Sequence, residues 1–172
     1  EQELRNMMFT AQLDGVGTIS IRYPRGRGVM PEWKTPFEKL EIGKGLQIKD
    51  GDRIAILSIG HVGNFALKAA QILDNENIST AVYNMRFLKP LDESLLHAVF
   101  KKFDRVITLE DGSIIGGLGS AILEFMSDHG YQARVKRLGI PDRFIHQGTP
   151  EELYRDCGYD VAGIVDAGRG MI

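Results

Sequence analysis

The chain has 172 residues, enough for one full α/β domain and some additional structure. It is 43% hydrophobic, 26% charged and 8% aromatic, a composition that describes a packed core under a solvated surface and excludes a disordered chain. Its 21 basic and 23 acidic residues leave a formal charge of −2, so the charge balance gives no reason to expect nucleic acid or an anionic membrane as partner.

The first segment, residues 1–13, carries Leu4, Met7, Met8 and Ala11 at helical spacing and stops at Asp14-Gly15. Residues 18–23 read as a strand, with Ile19 and Ile21 facing one way. A helix and a strand cannot bury a core between them, so this piece predicts a partner sheet outside it. From residue 24 to residue 45 the periodicity fades among Pro24, Pro31, Pro36 and four glycines, as in an interdomain linker. Residues 46–49 and 53–59 flank Asp50-Gly51, a strong hairpin signal, which predicts an antiparallel edge strand folding into the first strand of a new domain.

That domain, residues 46–172, alternates strand and helix. Residues 54–59 are almost continuously apolar, as expected of a strand covered on both faces. A helical stripe follows through Val62, Phe65, Ala66, Ala69, Ile72 and Leu73, and then a strand over residues 80–85. The next helix begins after Pro90 with Asp92 as its cap and buries Leu95, Leu96, Val99, Phe100 and Phe103. Residues 106–109 form the third strand, with a helix from Gly117 to His129, and residues 135–140 form the fourth. Thr149-Pro150-Glu151-Glu152 is a helix start, with a hydroxyl cap, proline at the first position and acids at the positive dipole end. Asp160 caps the last helix. The expected fold is an open, mostly parallel sheet with helices on both faces and an antiparallel edge strand.

A single cysteine, Cys157, excludes an intrachain disulfide, argues against a cysteine-held metal, and suits a reducing, cytoplasmic compartment. The longest apolar runs are far too short to span a bilayer, and no signal peptide is expected. The chain opens on Glu1 rather than Met, so a fragment is expected.

Three features could carry chemistry. Glycines follow the first and third parallel strands, at Gly60-His61-Val62-Gly63 and at Gly116-Gly117-Leu118-Gly119-Ser120, where backbone amides at a helix start can cradle phosphate. Neither matches the dinucleotide or phosphate-loop pattern, and tight turns against a sheet need glycine anyway. Glu110-Asp111 ends the third strand, facing the crevice where such sheets bind ligands; paired carboxylates divide into acid and base roles or cap helices. His61 stands at a strand end and is the histidine best placed to face a site, whereas His97, on the helix with Lys101, reads as solvated and His146 carries no distinct signal. Arg22-Tyr23-Pro24-Arg25 sets two arginines around a rigid Tyr-Pro, and the guanidinium fork suits phosphate.

These strings carry a resemblance. Arg22-Tyr23-Pro24-Arg25-Gly26, Ile42-Gly43-Lys44-Gly45, the run from Met85 to Asp92, Glu110-Asp111 with Gly116 to Ser120, and the run from Gly139 to Ile145 with Gln147-Gly148-Thr149 follow in the order seen in 1-deoxy-D-xylulose-5-phosphate synthases. The sequence resembles the carboxy-terminal part of that thiamine-diphosphate family over nearly its whole length. The alternatives are the same domain of a transketolase or of a 2-oxoacid dehydrogenase beta subunit, which are not expected to carry the run from Gly139, and a non-catalytic dimerisation module. The resemblance implies that residues 1–23 end a pyrimidine-binding domain, that residues 24–45 link it to a transketolase-type carboxy-terminal domain, and that the enzyme is a homodimer. It implies a reaction joining pyruvate to D-glyceraldehyde 3-phosphate with loss of CO2, feeding isoprenoid, thiamine and pyridoxal synthesis.

The family holds magnesium through a Gly-Asp-Gly sequence and a later Asn, and activates the cofactor with a Glu. Asp50-Gly51-Asp52 is not that motif, so thiamine diphosphate and magnesium are expected in the full-length enzyme and neither in this chain. No catalytic, cofactor or metal residue carries over. Arg22 resembles the arginine that holds the substrate phosphate, and Arg25 is the second candidate.

Overall fold

The computed structural model describes residues 1–172 except Arg25, Arg27 and Pro31. The chain divides into two compact units, Glu1–Ile42 and Gly43–Ile172.

In the first unit, helix α1 (Gln2–Ala11) buries Asn6 and Thr10. The expected apolar stripe is therefore displaced: Met8 is exposed, and the inward positions are polar. The reason lies in what covers them. Asn6 Oδ1 accepts the Glu38 N–H at 3.2 Å and Thr10 Oγ1 accepts the Leu40 N–H at 2.8 Å, so the helix face supplies the acceptors that an irregular segment lacks. One turn along, Arg5 donates to the carbonyls of Trp33 and Thr35 and lies 4.4 Å over the Phe37 ring, which stacks on Phe9. Residues 18–23 form no strand among the described residues. This corrects the expected helix-plus-strand pair: a strand exists only in a ladder, and nothing described in the unit offers one.

The second unit is a five-stranded sheet: β1 (Leu46–Lys49), β2 (Ile54–Ile59), β3 (Thr80–Asn84), β4 (Arg105–Ser113) and β5 (Arg134–Ile140). The strand order is β1-β3-β2-β4-β5, with β1 antiparallel and the other four parallel. Helices α2 (Gly63–Asn75) and α6 (Val161–Arg169) cover one face, where Ile54, Ile56 and Val82 meet Ala66, Leu73 and Ile164. Helices α3 (Glu93–Lys102) and α4 (Leu118–Asp128) cover the other, where Ala55, Leu57 and Tyr83 meet Leu96, Phe100 and Ile122. Alternate residues of β2 thus feed opposite cores, which is why the strand reads as an unbroken apolar run.

The expected hairpin at Asp50-Gly51 does not form: β1 pairs with β3, not with β2. Residues 80–83 of β3 are buried and need neighbours on both sides, whereas β1 is largely exposed and suits an edge. The chain reaches β2 by passing Gly51 over the Thr80–Ala81 backbone, where a side chain would collide. Lys49 anchors the crossing, donating to the Thr80 carbonyl at 2.8 Å and pairing with Asp74 at 2.6 Å.

Two of the family-like strings meet beside this edge. Asp92 caps α3 through the Leu95 N–H at 3.0 Å and accepts the Gly45 N–H at 3.0 Å, with Lys44 at 3.5 Å. Gly43 packs against Pro90. The Gly43-Lys44-Gly45 stretch and the Pro90–Asp92 stretch are thus halves of one structural joint that seats β1.

Candidate functional site

The connections β2–α2–β3 and β3–α3–β4 leave β2 in opposite directions, so the sheet has its switch point between β2 and β4. The carboxyl ends of those strands part there, the usual ligand crevice of open α/β sheets. Glu110, Asp111 and His61 all lie at this edge, but they are not brought together as one group.

Glu110 is 6% exposed and turned beneath α4. Its carboxylate accepts the N–H of Leu118 at 2.8 Å and of Gly119 at 2.9 Å. An internal anion thus occupies the position where a phosphate would sit at the positive end of α4. Gly117 is glycine because a Cβ there would fall on the Glu110 carboxylate. The glycine-rich run serves this cap.

Asp111 points the other way. Its Oδ1 accepts the hydroxyl of Tyr159 at 2.9 Å, and its Oδ2 lies 3.9 Å from His61 Nε2. His61 Nε2 is also 3.1 Å from the Tyr154 hydroxyl, and the Tyr154 ring packs on Phe65 and Tyr159. Tyr154 belongs to helix α5 (Pro150–Asp156), which Thr149 starts with the expected capping box. The cluster therefore ties α5 and the turn after it to the sheet edge. Arg143 adds a pair to Asp156 at 2.8 Å, so the run from Gly139 serves to fold the loop after β5 against α5. Phe144, within that loop, is 99% exposed.

The electrostatics suit a clasp rather than a reactive centre. Burial, then the bonded Asp111 carboxylate, holds the Tyr159 phenol far above its ordinary value. Burial first, then Asp111 and Glu151, raise Tyr154. Burial and Asp156 push the Cys157 thiol up, away from the thiolate a nucleophile needs. Both neighbouring carboxylates serve donors of the fold, so Glu110-Asp111 is not an acid–base pair.

An alkaline titration tests the clasp. A phenol whose folded value is raised contributes stability fully below its unfolded value of about 10 and loses it as pH rises through the folded one. Urea midpoints should therefore hold from neutral pH to about 10 and fall above it. Tyr159→Phe should make that fall shallower, leaving the share of Tyr83 and Tyr154, which burial also raises. An unchanged slope would contradict the assignment.

His97 is not solvated as expected. It is half-buried on α3, with Nδ1 2.8 Å from the Tyr131 hydroxyl and its ring edge-on to Phe125 and His129. His146 is exposed. Arg22 is exposed in the first unit, outside any helix or strand, and Arg25 lies outside the described residues. No local signal in the sequence singles out Tyr154 or Tyr159, because their partners lie 93 and 48 positions away.

Comparison with known proteins agrees with the fold. Residues 43–164 match the family described as "Transketolase, C-terminal domain". The chain belongs to that family. A split-gene transketolase, solved as an inactive beta4 tetramer, superposes with a TM-score of 0.73 at 34% identity, over 78% of this chain and 44% of the other. The 1-deoxy-D-xylulose-5-phosphate synthase of Cytophaga hutchinsonii is 56% identical over 172 residues, 99% of this chain and 27% of that relative. That of Bacteroides thetaiotaomicron is 54% identical over 161 residues, 93% of this chain and 25% of that relative. The chain thus spans about a quarter of the curated relatives it matches, and it corresponds to a carboxy-terminal part of such a synthase.

The transketolase carboxy-terminal domain seen here does not fit a thiamine diphosphate or magnesium site. Its glycine-rich helix start is filled by Glu110, Asp50 accepts from the Gln47 amide, and Gly51 is pressed on β3. Among the described residues, no group of three or more His, Cys, Asp or Glu could hold a metal ion. No helix of the described residues is long and apolar enough to cross a membrane.

Proposed function

We propose that the chain is the carboxy-terminal part of an enzyme that condenses pyruvate with D-glyceraldehyde 3-phosphate, losing CO2, to make 1-deoxy-D-xylulose 5-phosphate for isoprenoid, thiamine and pyridoxal synthesis. The observation that carries this reading is the 56% identity to a synthase of that name along the whole chain. Residues 1–23 are the end of the pyrimidine-binding domain, residues 24–45 the link, and residues 46–172 the carboxy-terminal domain. Thiamine diphosphate and magnesium are held by the remainder of the same enzyme, which works in the cytoplasm as a homodimer.

Within that enzyme this part has two tasks. The sheet domain packs and supports the assembly. Arg22 binds the phosphate of the acceptor substrate through its guanidinium fork, with Arg25 as a second contact. The chain alone is inactive.

Isothermal titration checks the division of labour. Thiamine diphosphate with magnesium should give no binding heat with this chain up to millimolar concentration, and pyruvate should not be consumed. Micromolar affinity would overturn the reading of where the cofactor is held.

A further inference from the structure

We propose that the open edge of β5 takes up an extended, acidic peptide as a sixth strand of the sheet. Among the described residues, the strand ends the sheet and pairs only with β4. Its Arg134 N–H donates to the Asp104 carbonyl and its Ile140 carbonyl accepts the Ile114 N–H, so the even-numbered residues turn their backbone groups toward β4. Successive residues of a strand alternate in this respect. The N–H and C=O groups of Val135, Arg137 and Gly139 therefore face outward along the free edge, a row of donors and acceptors at strand spacing.

A groove accompanies that edge for its whole length. It has a volume of about 550 Å³ and is lined by β5 from Arg134 to Gly139 and, among others, by Cys157, Gly158, Gly170 and Met171. Its far wall is α6, which presents Gly163 and Ala167 and so leaves room for an incoming side chain. An edge that is merely protected would be covered or bulged away; this one has an open channel beside it.

Charge selects the occupant. The strand reads Arg-Val-Lys-Arg-Leu-Gly-Ile, with three bases and no acid. Arg137 is engaged by the Ile114 carbonyl and the Ser120 hydroxyl. Arg134 and Lys136 are exposed and share the strand face of Leu138, which packs with the α6 residues Ile164 and Val165. The acid across the groove, Asp166, is already paired with Arg169 at 3.0 Å. A second copy of β5 would bring these bases against themselves, and like charges directly opposite destabilise a ladder. An acidic strand instead gains two charge pairs while it satisfies the free edge.

The probe is a fluorescein-labelled nonapeptide of alternating glutamate and valine, titrated against the 172-residue chain. Its lysine–valine counterpart and a version with central proline serve as comparisons. Saturable binding that weakens with salt is expected, at least tenfold tighter than for either comparison peptide. Hydrogen exchange should slow at the amides of Val135, Arg137 and Gly139 when the acidic peptide is present. R134E/K136E, both at exposed positions, should weaken the acidic peptide at least tenfold and leave the urea midpoint unchanged. Equal binding of the lysine peptide would overturn the proposal. So would unaltered exchange at the three amides at millimolar peptide, or protection of those amides by dimerisation of the chain without peptide.

Discussion

Glu110→Ala is expected to destabilise the sheet domain by about 3–5 kcal/mol, because it removes two charge-assisted bonds and leaves two buried N–H groups unpaired. The bonds are those to Leu118 and Gly119, at 2.8 and 2.9 Å, and the carboxylate that makes them is 6% exposed. The helix dipole adds to the loss, since the anion sits at the positive end of α4. In a chain of this size the change corresponds to a fall in melting temperature on the order of 10 °C. Glu110→Gln keeps the shape and one acceptor, so it should recover roughly half. Urea denaturation of the three proteins measures both effects. A Glu110→Ala protein within about 1 kcal/mol of the parent would mean that water reaches those amides, and that the cap is replaceable.

How much of this was legible in the sequence depends on the range of the interactions. The parallel domain was legible because β2 announces two-sided burial by its unbroken apolar run, and because Asp92, Thr149 and Asp160 announce helix starts within three residues of their partners. Turn chemistry was readable but its outcome was not. Asp50-Gly51 favours a hairpin locally, yet the pairing of β1 was decided by β3, which begins 31 residues after Lys49 and must be flanked on both sides. The polar face of α1 failed for the same reason. Asn6 and Thr10 look solvent-facing until residues 38 and 40 arrive to donate to them. The carboxylate pair was recognised as either chemistry or caps. Only the fold separates them, sending Glu110 under α4 and Asp111 toward Tyr159. Neighbours in sequence at the end of a strand point to opposite sides, so the two were never placed to act on one substrate.

Arg22→Ala, made in the full-length synthase, is expected to raise the Michaelis constant for D-glyceraldehyde 3-phosphate on the order of tenfold or more. The expectation follows from the proposed phosphate contact. A guanidinium fork on a dianion makes charge-assisted bonds of roughly 1.5–3 kcal/mol each, and even one such bond lost is about a tenfold effect. Pro24, two residues on, restricts the backbone just beyond Tyr23, so the segment carrying the arginine has a limited set of directions. The contact concerns the acceptor substrate alone. The Michaelis constant for pyruvate should therefore stay within about twofold, and that asymmetry separates a phosphate ligand from a structural arginine. Arg22→Lys should restore part of the affinity, since the ammonium keeps the charge but loses the planar pair of donors. Raising the salt concentration should weaken binding of the phosphorylated substrate more in the parent than in Arg22→Ala, because the variant has lost the charge that salt would screen. If both Michaelis constants rose together, or if neither moved, Arg22 would belong to the scaffold, and the phosphate would have to be held elsewhere in the enzyme.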